Sequence, residues 1–230
     1  MTAQQRWLSA QWRFVRSHLP TAPSRVLEIG CGPDGGFVPA LEQHGYTATG
    51  IDPVAPAGPG YRQTTFEDHD DATGPVDAVV ACTSLHHVGD LDRVLDRVAT
   101  TLVPGGVVIV VEWACETFDE ATARWCFARL PATGEPGWLH DHRDRWQASG
   151  CSWPTYFDAW TRDEHLHRGD AIRDALQARF TTRYSARTPY FFPDLYPTTE
   201  ADEWAAADGG EIRPTGIRYV GTAPSRAEPQ

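Results

Sequence analysis

The sequence predicts an α/β fold built on a parallel sheet, and three observations carry that prediction. Short apolar runs alternate with stretches whose apolar residues recur at helical spacing. A glycine-rich turn directly follows the first apolar run, and an acid, Asp52, closes the next. Val107 to Val111 is an unbroken β-branched run, as suits a strand covered on both faces.

The elements follow in order. Leu8, Trp12, Val15 and Leu19 mark an amphipathic helix that Pro20 and Pro23 stop. Val26 to Ile29 is a strand, Gly30-Cys-Gly32 a turn, the stretch around Phe37, Val38 and Leu41 a helix, and Tyr46 to Ile51 a second strand. The same grammar repeats in a buried strand at Val76 to Cys82 and a helical stripe of Leu91, Val94, Leu95, Val98 and Leu102. Pro104-Gly105-Gly106 then turns the chain into Val107 to Val111. Beyond Glu112, helices are expected around Phe118 to Leu130, Leu139 to Trp146, Trp153 to Trp160 and Asp170 to Arg179. Thr181 to Arg187 and Ile217 to Thr222 read as closing strands on either side of a helix at Thr198 to Asp208, and the end from Ala223 reads as frayed. The whole is one domain over 1–230. Residues 1–22 form its N-terminal helix, 23–112 a cofactor-binding half, 113–179 a helical lid whose insertion proper is Trp113 to Gly169, and 180–222 the closing strands.

The 230-residue chain carries 20 basic and 31 acidic side chains, a formal charge of −11, and 41% apolar residues, a globular composition. Nucleic acid and anionic membrane surfaces need clustered cations and find none here, so a small molecule is the expected partner. Lys and Asn are absent, which removes any Schiff-base lysine mechanism. Five cysteines, odd in number and without a C-x-x-C pair, fit neither a disulfide framework nor a zinc ribbon and point to a reducing cytoplasm. No apolar stretch has the length of a signal sequence core or a membrane span, so an unprocessed soluble chain is expected, as monomer or homodimer.

The most informative segment is Val26-Leu-Glu-Ile-Gly-Cys-Gly-Pro-Asp-Gly-Gly36. Gly30, Gly32 and Gly35 satisfy G-x-G-x-x-G, and Asp52 at the next strand end can accept hydrogen bonds from ribose hydroxyls. Both features suit NAD and S-adenosylmethionine alike. Glu28 separates them: a carboxylate two residues before the first glycine repels a pyrophosphate and favours a ligand bearing an ammonium and a sulfonium. The bland alternative is that Glu28 only satisfies loop amides.

With Gly50-Ile-Asp-Pro53, Phe66-Glu67-Asp68, Asp77 to Val88 and Leu102 to Glu112 following in order, the stretch from Arg25 to Trp113 resembles the class I S-adenosylmethionine-dependent methyltransferases. The resemblance implies a Rossmann-like seven-stranded sheet, mostly parallel with its last strand antiparallel, and a helical lid after the fifth strand. It implies cofactor contacts from Glu28, Gly30, Cys31, Gly32, Asp52, Pro53, Phe66, Glu67, Thr83 and His87. Asp34 departs from the family pattern, which usually has a third glycine there, and Gly35 with Gly36 can compensate.

Methyl transfer from a sulfonium asks the protein for position and, with a hydroxyl acceptor, for a base. His86 and His87 fall in the loop where the resemblance places the methyl group, and His140 and His142 in the lid can face the acceptor. His140-Asp-His142 and His165-Leu-His167 invite a metal reading. It is set aside, because residues two apart on a helix face different ways and the flanking charges suit a solvated face. Trp113, Trp125, Trp138, Trp146, Trp153, Trp160, Tyr190, Phe191 and Phe192 read mostly as core, with some lining a chamber for a hydrophobic or aromatic, natural-product-like acceptor. The competing readings are an NAD-dependent oxidoreductase, which lacks an evident hydride-transfer pair, and a protein that binds the sulfonium without transferring its methyl.

Overall fold

The structure, a computed structural model, describes residues 3–69, 74–132 and 136–224. Its centre is a seven-stranded sheet of β1 (Arg25–Ile29), β2 (Thr47–Ile51), β3 (Tyr61–Arg62), β4 (Val76–Cys82), β5 (Leu102–Trp113), β6 (Thr181–Thr188) and β7 (Gly216–Thr222), in spatial order 3-2-1-4-5-7-6. The first five strands pair in parallel, and β7 runs antiparallel to both β5 and β6. This is the expected Rossmann-like sheet with its last strand reversed. Strand order reverses between β1 and β4, so their carboxyl ends open the crevice in which such sheets bind ligands.

Alternation along the strands covers both faces. On one face Leu27, Ile29, Val79 and Ala81 pack with Val94, Leu95 and Val98 of α3 (Leu91–Thr101) and with Ile172 and Leu176 of α7 (Gly169–Arg179). On the other, Val26, Ala78 and Val80 meet Val15 of α1 (Ala3–His18) and Val38 and Leu41 of α2 (Val38–Gln43). α7, grouped with the lid on sequence, is thus a layer helix of the sheet; Arg179 at its end pairs with Asp92 and Asp96 of α3.

Three boundaries differ from expectation. Leu102 leaves the helix with an extended backbone and begins β5. The turn expected at Pro104-Gly105-Gly106 is a bulge inside β5, whose pairing to β4 jumps from Leu102 opposite Val76 to Val107 opposite Ala78. The end expected to fray from Ala223 is anchored there: Ala223 is buried and its amide donates to the Gly106 carbonyl, while 225–230 lie outside the described residues.

The lid comprises α4 (Glu120–Phe127), α5 (Trp138–Ser149) and α6 (Trp153–Asp163). Side chains of Asp119 and Ser152 cap α4 and α6 by accepting the amides of Thr122 and Thr155. The lid shares a separate aromatic core with the segment leading into α8 (Glu200–Asp208). Trp113, the last residue of β5, joins that core to the sheet.

Candidate active site

The glycine turn leaves β1 with Gly30, Gly32, Gly35 and Gly36 all at positive φ, between +57° and +82°. At Gly36 a Cβ would lie 2.3 Å from Glu28 Oε1, so the close approach of loop to carboxylate requires glycine. Asp34 is exposed and outside this set, so the third-glycine position of the family pattern carries no strain here. Glu28 is buried and accepts the Phe37 amide at 2.8 Å. Burial pushes its carboxyl up to about 8 against the pull of the loop amides, and Asp52 adds to the rise. It therefore satisfies a loop amide and also lines a cavity. Asp52 accepts the Gly32 amide at 3.0 Å and the Val54 amide at 2.8 Å.

Three cavities meet around Thr83. One, of about 290 Å³, gathers Gly30, Asp52, Pro53, Phe66, Glu67, Thr83 and His87, seven of the ten residues the sequence nominated for cofactor contact. A second, of about 320 Å³, holds Glu28, Gly30 and Cys31 with Gln4 and Trp7 of α1, Trp138, Tyr190 and Asp194. Gly32 lines neither, and acts through its amide on Asp52. The third, of about 330 Å³, is walled by Trp113, Trp138, Trp160 and Tyr190, with His86, His87 and His142 facing it. Thr83 borders all three in the left-handed region, φ 53°, a conformation worth about 1–3 kcal/mol of strain for such a residue. Its amide donates to the Val111 carbonyl and its hydroxyl to the Cys82 carbonyl.

The histidines separate clearly. His86 is buried, with Nδ1 2.6 Å from Glu112 Oε2. The His87 ring lies tilted against it, centroids 4.1 Å apart, and burial first, then His86, lower the His87 pKa. His142 meets the Tyr156 hydroxyl at 2.8 Å and the Trp160 ring at 4.4 Å. Burial, with Arg145 adding and Asp141 opposing, brings it down to about 4, so it is a neutral imidazole near pH 7.

His140 requires a correction, because its ring serves the start of α5 and lines none of the three cavities. Nδ1 accepts the Gly137 amide at 3.1 Å and Nε2 lies 3.3 Å from the Pro131 carbonyl, so both nitrogens are engaged locally. His167 bonds the Val88 carbonyl and His165 is exposed. Among the described residues no three His, Cys, Asp or Glu side chains are grouped as a metal would need.

Two acids of the site carried no such role on sequence. Glu112, fully buried, accepts the amides of Ser84, Leu85 and Trp113 as well as His86. Although burial raises its pKa, His86 and the amide bonds outweigh that and hold it below the ordinary value. A carboxylate closing an otherwise apolar run was the only signal. Asp194 accepts Trp138 Nε1 at 3.3 Å, and burial raises its pKa. Nothing local marks it; buried Glu203 of α8 holds its loop by accepting the Tyr190 and Phe192 amides at 2.8 Å each.

A family profile described as a methyltransferase domain matches residues 5–179, three quarters of the chain. The chain belongs to the class I S-adenosylmethionine-dependent methyltransferases. A ubiquinone biosynthesis O-methyltransferase of Azorhizobium caulinodans is 30% identical over 146 residues, which cover 57% of this chain and 55% of that protein, little more than half its length. One of Stutzerimonas stutzeri is 29% identical over 71% of each chain. Among solved structures, an S-adenosylmethionine-dependent methyltransferase from Mesorhizobium loti superposes with a TM-score of 0.56 at 19% identity, covering 94% of this chain and 99% of that one. The N-methyltransferase NodS of Bradyrhizobium japonicum, bound to S-adenosylhomocysteine, gives 0.51 at 16% identity over 97% of both chains. These likenesses carry the fold; the methyl donor of the family is S-adenosylmethionine.

Proposed function

We propose that this methyltransferase acts on an oxygen, nitrogen or sulfur of a small hydrophobic or aromatic acceptor of natural-product type. The supporting observation is the meeting of three cavities at Thr83, one edged by Asp52 and Phe66, one by Glu28 and Asp194, one by four aromatic walls. The donor set suits the cofactor: a carboxylate at the end of β2 for ribose hydroxyls, buried Phe66 for the base, and buried Glu28 for an ammonium. Glu28 holds its proton near pH 7 and gives it up to pair with an ammonium, whereas a pyrophosphate would have to pack against a buried acid that ionises only at a cost beside it, which disfavours the NAD reading. When bound, the cofactor supplies a methyl group already activated on a sulfonium. The protein's part is to hold Asp52 and Glu28 in place, exclude water with Trp113, Trp138 and Trp160, and present His86, His87 and His142 to the acceptor. The charge of −11 favours small molecules over nucleic acid as acceptors, and the mostly buried free cysteines suit a reducing cytoplasm. Among the described residues, no helix is long and apolar enough to cross a membrane.

Calorimetric titration with S-adenosylhomocysteine tests the reading; absence of heat at millimolar ligand would remove it. The same titration reports on the turn. Gly36→Ala forces a Cβ into the Glu28 carboxylate at a left-handed position, and the dissociation constant is expected to rise about 100-fold, consistent with a few kcal/mol of strain. An unchanged constant would show that Glu28 need not hold its place for the ligand to bind.

A further inference from the structure

We propose that Glu112 is a positioning residue that fixes His86 as proton acceptor for a hydroxyl in the aromatic chamber, making oxygen the methylated atom. The proposal rests on the methyltransferase reading above and narrows its acceptor.

The geometry is specific. Glu112 Oε1 accepts the amides of Ser84 and Leu85 at 2.7 and 2.6 Å, which fixes the turn carrying His86. Oε2 accepts the Trp113 amide at 2.9 Å and stands 2.6 Å from His86 Nδ1. An ionised carboxylate is an acceptor only, so Nδ1 must carry the proton and the lone pair is left on Nε2. That nitrogen makes no hydrogen bond among the described residues, and His86 borders the chamber. From behind, the His167 amide donates to the His86 carbonyl and completes the fixing of the backbone.

The other imidazoles of the chamber are poorer candidates. His142 spends Nδ1 on the Tyr156 hydroxyl, and burial leaves it too weak a base to keep a proton near neutrality. His87 lies beside a second imidazole and, among the described residues, has no carboxylate in hydrogen-bonding contact; Glu112 and Glu164 act on it only through their fields. The groups facing His86 are thus Glu112 from β5, its neighbour His87, His142 from α5 and the Tyr190 phenol. Among these groups, Glu112 is the acid in hydrogen-bonding contact with the imidazole.

The step balances. As a lone pair of the acceptor oxygen forms the O–CH3 bond, the S–CH3 bonding pair returns to sulfur, leaving a neutral thioether, and the hydroxyl proton passes to His86 Nε2. The positive charge lost from sulfur reappears on the imidazolium, against the Glu112 carboxylate. An amine needs no base to attack and a thiol ionises readily, so the carboxylate–imidazole pair is the equipment of a hydroxyl acceptor.

Glu112→Gln separates positioning from scaffolding. The amide keeps an oxygen for Ser84 and Leu85, gives up the bond from the Trp113 amide, and turns an NH2 toward Nδ1, which must then accept and leave the proton on Nε2. Imidazole nitrogen NMR of the complex with S-adenosylhomocysteine should show the His86 proton on Nδ1 in the wild type and on Nε2 in Glu112→Gln, at similar affinity for S-adenosylhomocysteine. With 4-nitrocatechol as phenol probe, the ionised fraction read by absorbance should fall about threefold or more in Glu112→Gln and in His86→Asn. A wild-type proton on Nε2, or a probe whose ionisation neither variant changes, overturns the proposal. Failure of the wild type to bind S-adenosylhomocysteine would instead remove the methyltransferase reading beneath it. Should Glu112→Gln not fold, the wild-type tautomer and His86→Asn decide the matter.

Discussion

Trp113→Ala is expected to lower the unfolding free energy by about 3–5 kcal/mol, the range for emptying a buried aromatic site, and the melting temperature by roughly 10 °C. The indole is 3% exposed and its ring meets those of Phe118, Trp138, Phe157, Trp160, Tyr190 and Phe191, all with centroids within 6.3 Å. It is also the last residue of β5, paired with Gly216 of β7, so it couples the sheet to the lid. The lid's remaining aromatic contacts do not pass through it, for example Phe118 against Trp153 at 5.1 Å, which is why a cavity is expected in place of complete collapse. Trp113 borders the aromatic chamber and neither of the other two cavities. Affinity for S-adenosylhomocysteine should therefore change less than about threefold while turnover is lost. Denaturant unfolding beside calorimetry checks both halves. A loss below about 1 kcal/mol would mean that the lid is organised by its own helices and not from the strand end.

Much of this arrangement was legible in the sequence, and for identifiable reasons. Val76 to Cys82 and the helical stripe before Leu102 declare themselves because burial on both faces, or on one, sets a period that side chains must obey. The glycine turn is legible because backbone at positive φ excludes most other residues. What escaped is set by pairing across the fold. Pro104-Gly105-Gly106 reads as a turn in any local window, and only the partner strand makes it a bulge. β3 is two residues long, too short to show a period. His140 and His142 are alike on paper, yet one turns back onto the helix start and the other into the chamber. Glu112 and Asp194 gain their roles from amides and an indole far along the chain, at Ser84, Leu85 and Trp138.

Between pH 6.5 and 8 the ligand-free protein is expected to lose about 2–3 kcal/mol of stability, most of it through Glu28. Burial raises Glu28 from 4.5 to about 8 and Glu203 from 4.5 to about 7. The folded state thus keeps two protons that the unfolded chain releases above pH 4.5. Their contribution is complete below that value and drains away as pH rises through 7 and 8. His142 acts with the opposite sign. Lowered from 6.5 to about 4, it refuses a proton that the unfolded chain accepts, so stability falls as pH drops through that window. The two effects oppose each other from 4.5 to 6.5, and above 6.5 only the acids remain. A ligand ammonium beside Glu28 reverses the cost by favouring the ionised form, so binding releases a proton. The affinity for S-adenosylhomocysteine should consequently tighten about tenfold or more from pH 6.5 to 8, as the free protein weakens. Glu28→Gln removes the titrating proton, and both slopes should flatten together in urea unfolding and calorimetry. If affinity still tightens with pH in Glu28→Gln, the ammonium answers to another acid, and Asp194 across the same cavity is the one to replace next.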